Sequence, residues 1–137
     1  MDLAYTNGKF SNNIELQRFP RGSCGIASCF LGEYLMEIDI TTRYINRTYY
    51  YGNTSFDKQA HTWLEVNQCL IVDITGDQFK NNPILMNYDI PVYVGDYNEF
   101  YNLFESTPNG EYALIKGHIL SRDERILYSK IIEFLEC

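Results

Sequence analysis

Three residues in the first half of the chain have the side-chain types of a thiol triad: Cys24, His61 and Asp73. A cysteine is a nucleophile as its thiolate, an imidazole can accept the thiol proton, and a carboxylate can orient the imidazole and stabilise its charged form. The chain therefore carries a candidate nucleophile, base and orienter, in that order. This set predicts nucleophilic catalysis through cysteine.

The segment after Cys24 has the spacing of an amphipathic helix. Apolar residues recur at steps of three and four, which predicts a helix from about Cys24 to Glu37 with Ser23 as its N-cap. The Cys24 sulfur would then lie at a helix N-terminus, where the partial positive charge favours the thiolate. A buried structural cysteine is the alternative reading of Cys24, and we expect that role for Cys29.

His61 and Asp73 lie on two segments that read as a β-hairpin, at 61–66 and 70–75. Its strands would bring the start of the first segment beside the end of the second. A two-residue turn at Asn67-Gln68 pairs His61 with Ile74, which leaves Asp73 one position away. A bulge or a longer turn would bring Asp73 level with the His61 face.

The hairpin sequence resembles a known family. His61-x-Trp63-x-Glu65-Val66 followed by Asp73-Ile74-Thr75 is similar to the His/Asp half of the transglutaminase-like superfamily. In this superfamily, part of the papain-like group, the catalytic Cys begins a helix and precedes the His and Asp. The resemblance spans residues 20–79 and implies an α+β papain-like core, with the nucleophile at the start of a central helix packed on an antiparallel sheet.

The same resemblance implies a reaction and the residues that assist it. A Cys24 thiolate would attack a carboxamide or ester, form a thioacyl enzyme, and release the acyl group to water or an amine. The backbone N–H of Cys24 would be one oxyanion donor. Gln17 and Gln78 are candidates for the second, and Trp63 is a further candidate for this site or for packing beside it. No cofactor is implied.

The remaining pattern indicates one α+β domain over residues 1–137, with residues 1–13 as a loose arm. The other predicted elements are a strand at 41–51, a strand at 90–94, a short helix at 98–105, a turn at 107–110, a strand at 112–115, and a C-terminal helix behind a Ser121/Glu124 capping box. A helix carrying the nucleophile would thus pack on a sheet carrying the base.

The composition of the chain limits the classes of partner that it could bind. The net charge is −7, from 11 basic and 18 acidic residues, and no basic cluster interrupts it, so nucleic acid is a poor candidate. No apolar run could span a bilayer and no signal peptide is recognisable, which predicts a cytoplasmic protein without a membrane anchor. The many tyrosines are expected mainly in core and cross-strand positions.

The number and spacing of the cysteines favour free thiols over disulfide bonds or a metal site. Four cysteines could form two disulfides, but a chain of 137 residues with 45% hydrophobic residues needs none, and we expect a reducing compartment. A zinc site from Cys24, Cys29, His61 and Cys69 would lack any closely spaced ligand pair, so no metal is predicted.

The sequence thus predicts a cysteine enzyme acting on amide bonds of a protein or peptide, as a peptidase, a glutamine deamidase or an acyltransferase. One alternative is a papain-like binding module without catalysis. Another is an arylamine acetyltransferase-like enzyme with a small-molecule acyl donor. The oligomeric state stays open.

Overall fold

The computed structural model describes residues 24–67 and 69–136. In this part the chain is α+β, with two α-helices and one five-stranded antiparallel sheet in the order β4-β3-β2-β1-β5. The elements are α1 (Cys24–Glu37), β1 (Arg43–Tyr50), β2 (Lys58–Val66), β3 (Leu70–Asp73), β4 (Tyr93–Gly95), β5 (Glu105–Ala113) and α2 (Arg122–Glu136). The predicted α+β class is confirmed. The expected arm at 1–13 and the N-cap at Ser23 lie outside the described residues.

Helix α1 has the bounds that its apolar periodicity predicts, and it lies between the sheet and α2. Gly32 is at the contact with the sheet, where an added Cβ would come within 2.4 Å of Leu114 Cδ1 and 3.8 Å of Leu64 Cδ1. Ile26 and Phe30 belong to the cluster that α1 forms with α2. Glycine therefore allows the helix that begins at Cys24 to approach the sheet closely.

Helix α2 begins with the predicted capping box. Ser121 N–H donates to Glu124 Oε1 (2.8 Å) and Glu124 N–H donates to Ser121 Oγ (3.2 Å). Tyr128 fixes the helix on α1, since its ring lies 5.9 Å from that of Phe30 and its hydroxyl donates to Glu37. No helix in the described part of the chain is long and apolar enough to cross a membrane.

The opposite face of the sheet is covered by aromatic side chains rather than by a helix. They come mainly from the connections between β3 and β5: Phe79, Tyr88, Phe100, Tyr101 and Phe104 pack on Ile45, Trp63 and Ile71 of the sheet. Tyr88 and Phe100 stack face to face, with ring centroids 3.8 Å apart. Much of the aromatic content thus builds one half of the core, as the composition led us to expect.

The prediction of a helix at 98–105 was wrong in its extent. Only Tyr101–Leu103 forms a 3₁₀ turn, with Asn98 Oδ1 accepting from Tyr101 N–H at 3.1 Å. Phe100, Tyr101 and Phe104 are all buried. These three positions would also share one face of a regular helix, so their apolar spacing does not distinguish a helix from the single 3₁₀ turn found here.

The predicted turn at 107–110 and the last strand form one element in the structure. Strand β5 runs from Glu105 to Ala113, and its pairing with β1 shifts register between Ile45 and Arg47. The shift is a bulge that needs Asn109 at φ 59° and a glycine next to it, because a Cβ at Gly110 would lie 2.4 Å from the Asn46 carbonyl oxygen.

Candidate active site

The turn between β2 and β3 decides where Asp73 lies. Val66 pairs with Leu70 and Leu64 with Val72, so the turn comprises residues 67–69, one more than the two-residue turn considered from the sequence. Asn67 takes the left-handed conformation (φ 55°), which asparagine adopts more readily than most residues. The pairing of His61 with Ile74 is therefore wrong, and the longer turn is the arrangement found.

One extra residue in a turn moves every later side chain to the opposite face of the sheet. With the observed register, Asp73 falls level with Trp63, which shares a face with His61 because the two are two residues apart on β2. Asp73 Oδ2 consequently lies 2.7 Å from His61 Nε2, and both residues are buried, at 2% and 0% exposure. The structure thus joins the predicted base and orienter.

Asp73 has hydrogen-bond donors on both carboxylate oxygens. Oδ2 also accepts from the Tyr101 hydroxyl at 2.7 Å, while Oδ1 accepts from the Thr75 N–H at 3.0 Å and from the Thr75 hydroxyl at 3.2 Å. Burial alone would raise the pKa of Asp73, but the His61 charge and these hydrogen bonds outweigh it and hold the pKa below its usual value. Asp73 is therefore a buried, ionised carboxylate.

Cys24, the first residue of α1, meets His61 from the other side of the sheet. Strand β2 pairs with β3 over Leu64–Val66, and His61 precedes this ladder. The Cys24 thiol lies near enough to His61 and to Thr62 for both residues to lower its pKa. The helix that begins at Cys24 thus meets the strand that carries His61, as the sequence predicts.

The electrostatics of this pair favour proton transfer from sulfur to nitrogen. Burial raises the pKa of Cys24, but the contacts with His61 and Thr62 more than offset this effect, and the pKa falls below its usual value. For His61 burial lowers the pKa, whereas Asp73 and Cys24 raise it to about 9. A lowered thiol pKa next to a raised imidazole pKa is the condition for a reactive thiolate.

Gln78, one of the two glutamines considered as oxyanion donors, lies against the imidazole. It belongs to the 3₁₀ turn Gly76–Phe79, and its amide nitrogen is 3.3 Å from His61 Nδ1 and 3.1 Å from the Thr75 carbonyl oxygen. Gln17, the other candidate, lies outside the described residues. The amide of Gln78 is therefore engaged with the base.

Trp63 is fully buried and packs beside the base, with ring centroids 5.6 Å apart. Its indole N–H donates to the Tyr97 hydroxyl at 3.2 Å, and that hydroxyl donates to the Glu65 carboxylate. The indole N–H therefore has its acceptor within the fold. The Arg47 guanidinium also lies near the indole, 5.8 Å from the Trp63 ring centre. In this structure Trp63 and Glu65 support the sheet behind the triad.

Metal and disulfide chemistry have no visible basis among the described residues. No group of three or more His, Cys, Asp or Glu side chains there could hold a metal ion, and the zinc set considered from the sequence is not assembled. Cys24, Cys29 and Cys69 form no disulfide bond with one another, and Cys69 is exposed in the β2–β3 turn.

Sequence reasoning missed two residues that touch the triad, Thr62 and Tyr101. Thr62 is an unspecified position between His61 and Trp63, although its place beside the base in sequence could have drawn attention to it. Tyr101 lies 28 residues after Asp73, in a segment whose pattern gave no sign of a buried hydroxyl. Only the tertiary structure brings Tyr101 to the carboxylate.

Comparison of the chain with protein-family models, with curated proteins and with solved structures finds no significant match. The geometry of Cys24, His61 and Asp73 is therefore the basis for inferring what the site does.

Proposed function

We propose that this chain is a cysteine enzyme that attacks amide bonds of a protein or peptide through a thioacyl intermediate, on a papain-like, transglutaminase-like core. One observation carries the proposal: the Cys24 thiol at the start of α1 lies beside the His61 imidazole, which lowers the thiol pKa, and Nε2 of that imidazole lies 2.7 Å from a buried carboxylate. A structural cysteine needs neither partner. A nucleophilic cysteine needs both.

In the proposed first half-reaction the Cys24 sulfur forms a bond to the amide carbon. His61, protonated by the thiol, gives that proton to the amide nitrogen as the carbon–nitrogen bond breaks. Asp73 remains ionised and stabilises the imidazolium through its 2.7 Å contact with Nε2. The products are a thioacyl enzyme and a free amine or ammonia.

In the second half-reaction water or an amine attacks the thioacyl carbon while His61 removes a proton from the attacking atom. The carbon–sulfur bond breaks and the proton returns to the Cys24 sulfur. The Cys24 backbone N–H, in the first turn of α1, has no partner four residues earlier within the helix, and such groups are suited to a developing oxyanion. Gln17 and Gln78 remain the candidates for a second donor.

The test compares Cys24→Ala and Cys24→Ser with a matched Cys29→Ala variant, which removes a thiol one turn further along α1. The proteins are incubated with a peptide library and the products are read by mass spectrometry. Peptide cleavage, the small mass gain of deamidation, and addition of an amine distinguish peptidase, deamidase and acyltransferase. We expect activity in the wild type and in Cys29→Ala only. Full turnover by either Cys24 variant would refute the proposal.

A further inference from the structure

Gln78 and Cys24 make use of the same nitrogen of His61. The Nε2 atom is committed to Asp73 Oδ2 at 2.7 Å, so Nδ1 is the ring nitrogen left for the thiol. The Gln78 amide nitrogen lies 3.3 Å from Nδ1. Any proton that leaves the Cys24 sulfur for His61 must therefore arrive at the atom that Gln78 contacts.

The orientation of the Gln78 amide follows from its second contact. The Thr75 carbonyl oxygen can only accept a hydrogen bond, and the atom 3.1 Å from it must be the amide nitrogen. The same NH₂ group therefore faces His61 Nδ1, to which it donates. A donor at Nδ1 requires a lone pair there, which places the ring proton on Nε2, facing the ionised Asp73.

Proton transfer from Cys24 reverses this arrangement at Nδ1. The imidazolium has a hydrogen on each nitrogen, so the Nδ1–H and the Gln78 N–H become two donors directed at each other, and their hydrogen bond is lost. The bond from Gln78 thus stabilises the neutral thiol–imidazole form and is absent from the thiolate–imidazolium form. Asp73 and Thr62 act in the opposite direction, because both stabilise the charged pair.

We propose that Gln78 is a positioning residue that favours the neutral, Nε2-protonated form of His61 and so opposes thiolate formation at Cys24 until the amide leaves Nδ1. The inference rests on the proposed function, since it concerns the protonation of the same nucleophile and base. The contact lowers the share of thiolate in the resting enzyme, and its loss frees the Gln78 amide at the moment when the nucleophile forms.

The experiment measures alkylation of Cys24 by iodoacetamide from pH 4 to 10, resolved by peptide mass spectrometry so that the other cysteines do not interfere. Gln78→Met keeps the length of the side chain and removes the donor. A lost neutral hydrogen bond corresponds to roughly three- to tenfold in an equilibrium, so Gln78→Met should alkylate faster than wild type by up to about that factor on the plateau above the low-pH midpoint, where the neutral pair and the ion pair compete. Below the midpoint His61 is an imidazolium with or without the thiolate, so the rates of the two proteins should converge there.

The control is Gln59→Met, on the same strand as His61, whose amide donates to the Ala60 carbonyl oxygen and does not contact the triad. It should keep the wild-type plateau rate. Gln78→Ala removes the same donor and serves if Gln78→Met does not fold, as judged by circular dichroism. A merely structural role for Gln78 would not make the thiol more reactive, so an unchanged or lowered plateau rate in the folded variant would overturn the inference.

This readout needs no substrate and separates the two proposals. An inactive Cys24→Ala protein together with an unchanged plateau rate in Gln78→Met would leave the enzyme assignment intact and refute the role of Gln78. A raised plateau rate in Gln78→Met together with full turnover by Cys24→Ala would refute the enzyme assignment and leave Gln78 as a modulator of a reactive thiol.

Discussion

At the scale of single residues, the ionised Asp73 carboxylate determines the direction of the hydrogen bonds around it. An ionised carboxylate can only accept, so the Tyr101 hydroxyl must donate its proton to Oδ2. The Tyr88 hydroxyl, 3.1 Å from that of Tyr101, must then donate to Tyr101. This directed chain ends on the same oxygen that His61 Nε2 contacts. Tyr101 therefore helps to hold the carboxylate that orients the base.

Replacing Tyr101 with phenylalanine tests this chain. The ring is fully buried and can stay in place, but Asp73 loses one of four donors and Tyr88 loses its acceptor. A buried group left unsatisfied costs about 1–3 kcal/mol, and we expect the free energy of unfolding in urea to fall by that amount. Tyr93→Phe is the control, since its ring stacks on Tyr101 while its hydroxyl donates to the Asp96 carbonyl. Equal stability of Tyr101→Phe and wild type would contradict the assigned chain.

The residues of the triad could be named from the sequence because their chemistry is rare and their neighbours carry a pattern. Cys24 precedes a periodic apolar run, and His61 and Asp73 flank a hairpin. Thr62 and Tyr101 could not be named in this way. A threonine or tyrosine has no signature until its hydroxyl is seen beside a charged atom, and for Tyr101 that placement depends on the whole aromatic layer.

At the scale of elements, the length of the turn at 67–69 determines where Asp73 lies in the site. Side chains alternate between the two faces of a strand, so the number of residues in the turn determines whether Asp73 faces His61 or α1. The sequence left two lengths open at this point. Periodicity and caps are local signals and gave the bounds of α1 and the start of α2, whereas the turn length depends on how β3 packs in the tertiary structure.

Deleting Cys69 tests whether strand pairing holds Asp73 in place. The shortened turn of two residues can still join Val66 to Leu70, so the pairing of β2 with β3 and the position of Asp73 are kept. We expect a wild-type midpoint of Cys24 alkylation in this variant. Cys69→Gly, which keeps the length, is the control and should behave as wild type. A raised midpoint in the deletion variant alone would show that the register slips with the shorter turn and that His61 loses its carboxylate.

At the scale of the whole molecule, the site lies where two differently built layers meet. His61 belongs to the face packed with aromatic rings, at 5.0 Å from Phe79, while Cys24 comes from the helical layer on the other face. The two residues lie close enough for His61 to lower the pKa of Cys24. The sequence predicted a helix on a sheet, but it could not predict where the two layers meet, because that depends on long-range packing.

A consequence for the whole molecule is that the shared proton of Cys24 and His61 links the site to global stability. The pKa of His61 is raised to about 9, above the value of roughly 6.5 in an unfolded chain. Its contribution to stability is fully present below pH ~6.5 and is lost as the pH rises towards 9. The pKa of Cys24 is lowered, so its contribution grows as the pH rises from the folded pKa towards the unfolded value of about 8.5.

In the wild type these two effects offset each other. Between about pH 6.5 and 8.5 the folded pair holds one proton, on sulfur or on nitrogen, and the unfolded pair also holds one, on the cysteine. The pair therefore contributes no slope of stability with pH in this range. Cys24→Ala removes the offset: the folded protein retains a proton on His61, held by Asp73, that the unfolded chain has released. The free energy of unfolding of this variant should fall with rising pH, by up to a few kcal/mol across the range.

Urea unfolding of Cys24→Ala at pH 6.5, 7.5 and 8.5 measures this slope against Cys29→Ala, which shortens a cysteine of the same helix without removing the triad thiol. Other groups that titrate in this range are common to both variants, so the difference between their slopes belongs to the Cys24–His61 pair. A steeper loss of stability in Cys24→Ala is expected because His61 stays protonated by virtue of Asp73, 2.7 Å away, whether or not the thiol is present. Parallel slopes would mean that His61 releases its proton together with the loss of the thiol, and that Asp73 alone does not keep the imidazole charged.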